Sequence, residues 1–191
     1  MTLLATFSHP VADAQRAFRL MAKAMSEPGV TVSLPPLPAW GNISSAATAV
    51  LMMMVDGETP LWIDEKIKDD ALLSNIHFHT GAPITENTDA SVVLLHAQTT
   101  ADIASFSPGE DVSLEKSRTL IIDVAGLSGG LAMRLRGPGL MEPRAIAPQL
   151  PESVLKYLRQ RGHSCPQGLD LIFTCGENMM ALPRTTDITL R

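Results

Sequence analysis

Ser91-Val92-Val93-Leu94-Leu95-His96-Ala97 holds four apolar residues in a row before its first ionisable side chain, His96. The run has the length of a strand, and its valines favour extended backbone. A stretch that is apolar on both faces, rather than alternating, belongs inside a sheet covered on both sides. Thr119 to Val124 has the same character and is expected to be a second interior strand. Between the two lie a weak helical pattern at 100–105 and a polar loop around Pro108-Gly109.

Working outward, residues 11–26 read as a helix. Ala14, Phe18, Met21 and Met25 recur at spacings of three and four, which makes one apolar stripe, and Pro28-Gly29 ends the run. Val30 to Leu34 alternates as a short strand, and residues 43–55 form a second helix that is apolar almost all round and therefore buried on more than one side. Leu61-Trp62-Ile63 is a short buried strand and Asp69 to Ile76 a helix. Phe78 to Thr80 is expected to begin an extended segment closed by Gly81 and Pro83.

Further along, Gly126-Leu127-Ser128-Gly129-Gly130 reads as a hairpin-type loop. The strand after it, Leu131 to Arg136, turns Leu131, Met133 and Leu135 to one side and Arg134 and Arg136 to the other. Pro151 to Arg161 is an amphipathic helix with Gly162 just past its end. Leu169–Thr174 and Met179–Leu182 form a second hairpin around Gly176-Glu177-Asn178. The sum is an α/β fold, a three-layer sandwich around a mixed β-sheet, with residues 1–191 as one domain.

Composition removes several classes of function. The chain has 191 residues and 45% hydrophobic content, enough for a core without disulfides or metals. Its two cysteines, Cys165 and Cys175, are expected to be reduced thiols, with Cys175 buried in a strand, in a cytoplasmic protein. The N-terminus lacks a basic segment followed by an apolar run, so no signal peptide is expected. The longest apolar stretch, Ala46 to Val55, is about half of what spans a bilayer, so no membrane association is expected. A net charge of −5 with 15 Lys and Arg argues against binding nucleic acid.

Candidate chemistry is thin. Lys23, Lys66, Lys68, Lys116 and Lys156 all lie in polar contexts, which disfavours a Schiff-base cofactor. His77 and His79, like His163 and Cys165, share the spacing of a strand face, but neither pair has a ligand frame; no metal and no cofactor are expected. Gly126-Leu127-Ser128-Gly129-Gly130 spells Gly-x-Ser-x-Gly, yet a strand and not a helix follows, so Ser128 reads as a turn residue. No catalytic residues are therefore assigned. The strongest polar set is arginine: Arg134, Arg136, Arg144 and Arg184 form a candidate partner or anion surface, weighed against ordinary surface ion pairs.

Short motifs carry more than the charges do. Ala24-Met25-Ser26-Glu27-Pro28-Gly29, Phe78-His79-Thr80-Gly81-Ala82-Pro83 and Leu127-Ser128-Gly129-Gly130 come first. Gly137-Pro138-Gly139-Leu140, Ile146-Ala147-Pro148-Gln149-Leu150-Pro151-Glu152, Pro166-Gln167-Gly168-Leu169-Asp170-Leu171-Ile172 and Leu182-Pro183-Arg184-Thr185-Thr186 follow. In this order the chain resembles the PhnH family, subunits of the bacterial carbon–phosphorus lyase machinery that degrades phosphonates. The resemblance implies a fold related to pyridoxal-phosphate transferases without the cofactor site. It also implies a homodimer when alone and assembly with the G, I and J subunits. The task it implies is support for forming a ribose 1-phosphonate 5-triphosphate from ATP and phosphonate, with no catalytic residue assigned to this subunit. Two rival readings remain: a small-molecule domain with a vestigial cofactor cleft whose anion is held by Arg134, Arg136 or Arg184, and an independent enzyme using Ser128 or the histidines.

Overall fold

Four helices and nine strands make up a computed structural model of the chain, which describes residues 3–106, 118–160 and 168–190. In chain order they are α1 (Pro10–Ser26), β1 (Thr31–Ser33), α2 (Ser45–Met54), β2 (Leu61–Ile63), α3 (Asp70–Thr80), β3 (Val92–His96) and β4 (Thr119–Asp123), then β5 (Met133–Arg136), β6 (Arg144–Ile146), α4 (Glu152–Gln160), β7 (Asp170–Cys175), β8 (Asn178–Leu182) and β9 (Asp187–Leu190).

The two apolar runs lie side by side, as their composition requires. A six-stranded sheet has the order β1-β8-β7-β4-β3-β2. Strands β2, β3, β4 and β7 are parallel, and β8 and β1 add antiparallel pairs at one edge, so the sheet is mixed. Register sets Leu94 beside Ile121 and Ile121 beside Ile172. Side chains alternate between two cores. Val92, Leu94, Ile121 and Ile172 pack under α1, α2 and α3. Val93, Leu95, Leu120, Ile122, Leu171 and Phe173 pack on the other face against α4 and a second sheet.

Helix α2 explains itself locally. Ser44 caps it by accepting the Ala47 N–H at 3.1 Å, and Ala46 through Leu51 are all buried. A helix apolar on every side can be stable only inside such a layer. Helix α1 packs Ala14, Met21 and Met25 of its expected stripe against the core but not Phe18. Ala17 and Ala24 are its buried residues, while Phe18 is 58% exposed. The small alanines let the helix lie close to β8 and β1, and Phe18, one position or ~100° further round, faces outward.

Four further expectations change. Phe78 to Thr80 does not begin a strand: α3 continues through Thr80 and stops at Gly81, whose φ of 68° is a left-handed helix cap. Asp69 caps the other end by accepting the Leu72 N–H at 2.7 Å. The 126–130 segment is not a hairpin, because β4 belongs to the large sheet and β5 to a separate three-stranded sheet of order β6-β5-β9. The 100–105 pattern is a single 3-10 turn, Ile103–Ser105. The β7–β8 hairpin stands as expected, with Cys175 paired to Asn178. Cys175 is half-buried rather than buried. Cys165, His163, Lys116, Gly162 and the loop at Pro108-Gly109 lie outside the described residues. None of the described helices is long and apolar enough to cross a membrane.

Candidate functional site

The short motifs close on one another in pairs. Arg144, at the start of β6, donates from Nη1 to the carbonyls of Pro28 at 2.7 Å and Glu27 at 3.4 Å. Gly139 lies against the Ser26 carbonyl so closely that any Cβ there would collide, and its φ of 81° is one that side chains rarely adopt. The Ser26-Glu27-Pro28-Gly29 exit of α1 and the Gly137-Pro138-Gly139-Leu140 turn therefore form one joint between the two sheets. A second joint binds Leu127-Ser128-Gly129-Gly130 to Pro148-Gln149: Gln149 Nε2 donates to the Ser128 carbonyl at 2.9 Å, and a Cβ on Gly130 would meet the Pro148 carbonyl. A third joins Asp170 to Arg184, whose guanidinium and backbone N–H each donate to the carboxylate at 2.8 Å.

These joints divide the arginines. Arg144 and Arg184 are held by groups of the chain itself. Arg134 and Arg136 stand exposed on β5, while Met133 and Leu135 are buried, as their alternation requires. The four do not converge on one point. The histidine pair does not converge either. On a helix, positions two apart point ~200° from one another, so His77 and His79 share no face. His79 is committed elsewhere: its ring stacks on Trp40 at 5.3 Å and its Nε2 lies 2.9 Å from the Leu4 carbonyl. Ser128 is exposed and leads into β5. Of the described lysines, Lys68 is bound to Glu65 at 2.8 Å and Glu86 at 2.7 Å. Lys23 lies 4.0 Å from Glu27, and Lys66 and Lys156 are exposed.

The most organised polar group sits at the carboxyl ends of the parallel strands. Register aligns His96 of β3, Asp123 of β4 and Thr174 of β7 in one row. Their positions are even-spaced from Leu94, Ile121 and Ile172, so the row lies on the α2 face of the sheet. Asp123 Oδ2 accepts the Ser44 N–H at 2.8 Å, and Oδ1 accepts the Thr174 hydroxyl at 2.8 Å. Burial raises the Asp123 carboxyl above its ordinary value of 3.8, against the opposing pull of the Ser44 and Thr174 hydrogen bonds and of His96. His96 Nδ1 accepts the Gln98 N–H at 3.1 Å. With Nδ1 accepting, the ring nitrogen left to donate is Nε2. Its backbone N–H donates to Asp64, a buried carboxylate at the end of β2, at 3.3 Å.

Beside this row a cleft of about 620 Å³ opens, lined by His96, Asp123, Asn42, Gln98 and Gln149 among polar residues. Val124, Leu131 and Leu150 supply apolar wall. Carboxyl ends of parallel strands are where α/β sheets bind ligands, because loops diverge there and leave a crevice. Among the described residues, none that lines this cleft is Lys or Arg. A second recess of about 320 Å³ lies between the start of α1 and β1, with Asp13, Arg16 and Glu177 in its wall. Sequence reasoning passed over His96 and Asp123. The signal was present: each is the first ionisable side chain at the end of an apolar strand, where a parallel sheet exposes it.

Comparison with known proteins follows this geometry along the whole chain. A family model described as bacterial phosphonate metabolism protein (PhnH) matches residues 5–189. A protein of Rhizobium meliloti (strain 1021), called alpha-D-ribose 1-methylphosphonate 5-triphosphate synthase subunit PhnH, is 31% identical over 190 residues, covering 95% of this chain and 93% of its own. A putative C-P lyase subunit protein HtxG of Stutzerimonas stutzeri is 29% identical over 180 residues, 93% of this chain and 86% of its own.

Proposed function

The chain belongs to the PhnH family of bacterial phosphonate metabolism proteins, and from that premise we propose that it is a subunit of a carbon–phosphorus lyase complex. Its task there is to support formation of ribose 1-methylphosphonate 5-triphosphate, the product named for its Rhizobium relative. The observation that carries this reading is likeness from residue 5 to residue 189, which includes every motif that joins the two sheets. A subunit of an assembly needs a fixed shape and no nucleophile of its own.

In this reading residues 1–191 act as one PhnH-like domain, homodimeric when alone and bound to G, I and J subunits in the complex. Val11 and Phe18 on α1 and Phe78 on α3 are 73%, 58% and 62% exposed, apolar surface of the kind that assembly covers. Arg134 and Arg136 offer a cationic strand face to an acidic partner or an anion; Arg144 and Arg184 contribute by holding the joints behind that face. The mixed sheet with helices packed on it accords with descent from pyridoxal-phosphate transferases. Tagged chain co-expressed with the G, I and J subunits should draw them through affinity and gel-filtration steps in fixed proportion. Recovery of the tagged chain alone would remove this reading.

A small-molecule site is the second reading, and one observation favours it: the cleft beside His96 and Asp123. In its anion-binding form the reading places the ligand on Arg134, Arg136 or Arg184, none of which lines that cleft.

A further inference from the structure

We propose that the cleft at the ends of β3 and β4 binds an uncharged planar nitrogen heterocycle of nucleobase type, held by Asp123 and His96, and that it does not bind phosphate or phosphonate groups. The proposal deepens the small-molecule reading and is independent of the subunit reading.

The argument begins with charge. A helix N-terminus attracts anions because its first N–H groups are unpaired and its dipole is positive there. The N-terminus of α2 faces the cleft row, yet its anion position is already filled. Asp123 accepts the Ser44 N–H at 2.8 Å, and the Ser44 hydroxyl accepts the Ala47 N–H at 3.1 Å. A phosphate would meet a carboxylate where it needs a cation, and among the described residues no Lys or Arg lines the cleft to offset the repulsion.

The remaining capacity is for hydrogen bonds of neutral groups. Ser44 engages Asp123 through both its N–H and its hydroxyl, while Oδ1 accepts the Thr174 hydroxyl at 2.8 Å and has room for a second donor. With Nδ1 taking the Gln98 N–H, His96 presents an Nε2–H donor. Register places His96 and Asp123 directly opposite on adjacent parallel strands, side chains on one face and ~4.8 Å apart in strand spacing. A carboxylate acceptor beside an imidazole donor complements an edge that carries an N–H donor next to a carbonyl or ring-nitrogen acceptor. The amides of Asn42 and Gln149 can extend that edge, and Val124, Leu131 and Leu150 can cover an apolar ring face.

Titration of the isotope-labelled protein with guanosine, adenosine and cytidine, and separately with inorganic phosphate and methylphosphonate, tests the proposal. The expected result is saturable shifts of the His96 ring and of the Gly130 and Leu131 amides with at least one nucleoside, and none with either anion. Leu131→Lys, which fills the cleft from its wall while leaving the Asp123 anchor intact, should weaken that nucleoside by about tenfold or more with an unchanged thermal melt; His96→Ala should do the same. Saturable binding of phosphate or methylphosphonate at these residues would overturn the proposal. So would nucleoside binding that Leu131→Lys leaves intact, or the absence of shifts with all three nucleosides at millimolar concentration. Co-purification with sister subunits is unaffected by any of these outcomes, so the two readings fail separately.

Discussion

Asp123 has two roles that pull in opposite directions. As acceptor for Ser44 it pins the start of α2 to the sheet, and as a carboxyl beside a cleft it resists ionisation. Its folded value lies above the ordinary 3.8, so below that raised value the folded chain holds a proton that the unfolded chain has released. This group therefore adds stability as pH falls through its raised value toward 3.8 and withdraws it as pH rises. Asp123→Asn cannot titrate. The margin of the natural protein over that variant should widen in thermal melts taken from pH ~7 down to ~4; a constant margin would show that the carboxyl is not raised. Arginines divide in the same manner. Arg144→Ala takes the guanidinium donor from the Pro28 carbonyl, while the Glu27 carbonyl keeps the Val30 N–H, and should cost about 1.5–3 kcal/mol in urea unfolding. Arg134 and Arg136 are exposed, so replacing both with alanine should move stability by about 0.5 kcal/mol or less per site.

At the scale of elements, what the sequence shows depends on how local the cause is. The runs at 92–96 and 119–123 are read correctly because burial on both faces leaves no polar position to confuse the pattern. Helix α2 is legible for the same reason. Strands β6 and β9 are not, since Arg144-Ala145-Ile146 and Asp187–Leu190 are short and take their pairing from β5 alone. Residues 78–80 carry β-favouring Phe and Thr, yet the helix continues because its cap, Gly81, comes only after them. The glycines at 126–130 signalled a turn, whereas Gly130 is required by the approach of the Pro148 carbonyl. Gly130→Ala should accordingly destabilise by about 1–3 kcal/mol, as overpacking does, measured as a lowered urea midpoint with unchanged slope. The cleft was least legible. Its lining runs from Asn42 to Leu150, and only the fold brings those positions together. The arginines were visible as residue types, but spacing could not separate Arg144 and Arg184, which hold the chain to itself, from Arg134 and Arg136, which face outward.

For the whole molecule, the joints between the sheets explain why so much of the chain is needed to specify a shape. Arg144 with Pro28 and Gly139 with Ser26 fix the small sheet on the large one, Arg184 with Asp170 closes the open end of the β7–β8 hairpin, and that fixed geometry displays the β5 arginines. If the β5 face meets an acidic partner, the double Arg134→Ala, Arg136→Ala variant should melt as the natural protein does yet recover less of the G, I and J subunits, because a desolvated arginine contact carries ~2–5 kcal/mol. Equal recovery would return both side chains to solvated surface charge. The central claim is that this chain works as a subunit in phosphonate activation, and phosphorus NMR of a reconstituted reaction tests it most directly. ATP and methylphosphonate are incubated with the sister subunits, with this chain alone, and with all together. The account predicts the ribose 1-methylphosphonate 5-triphosphate signal only in the complete mixture. Full product formation without this chain, or product from this chain alone, would contradict it.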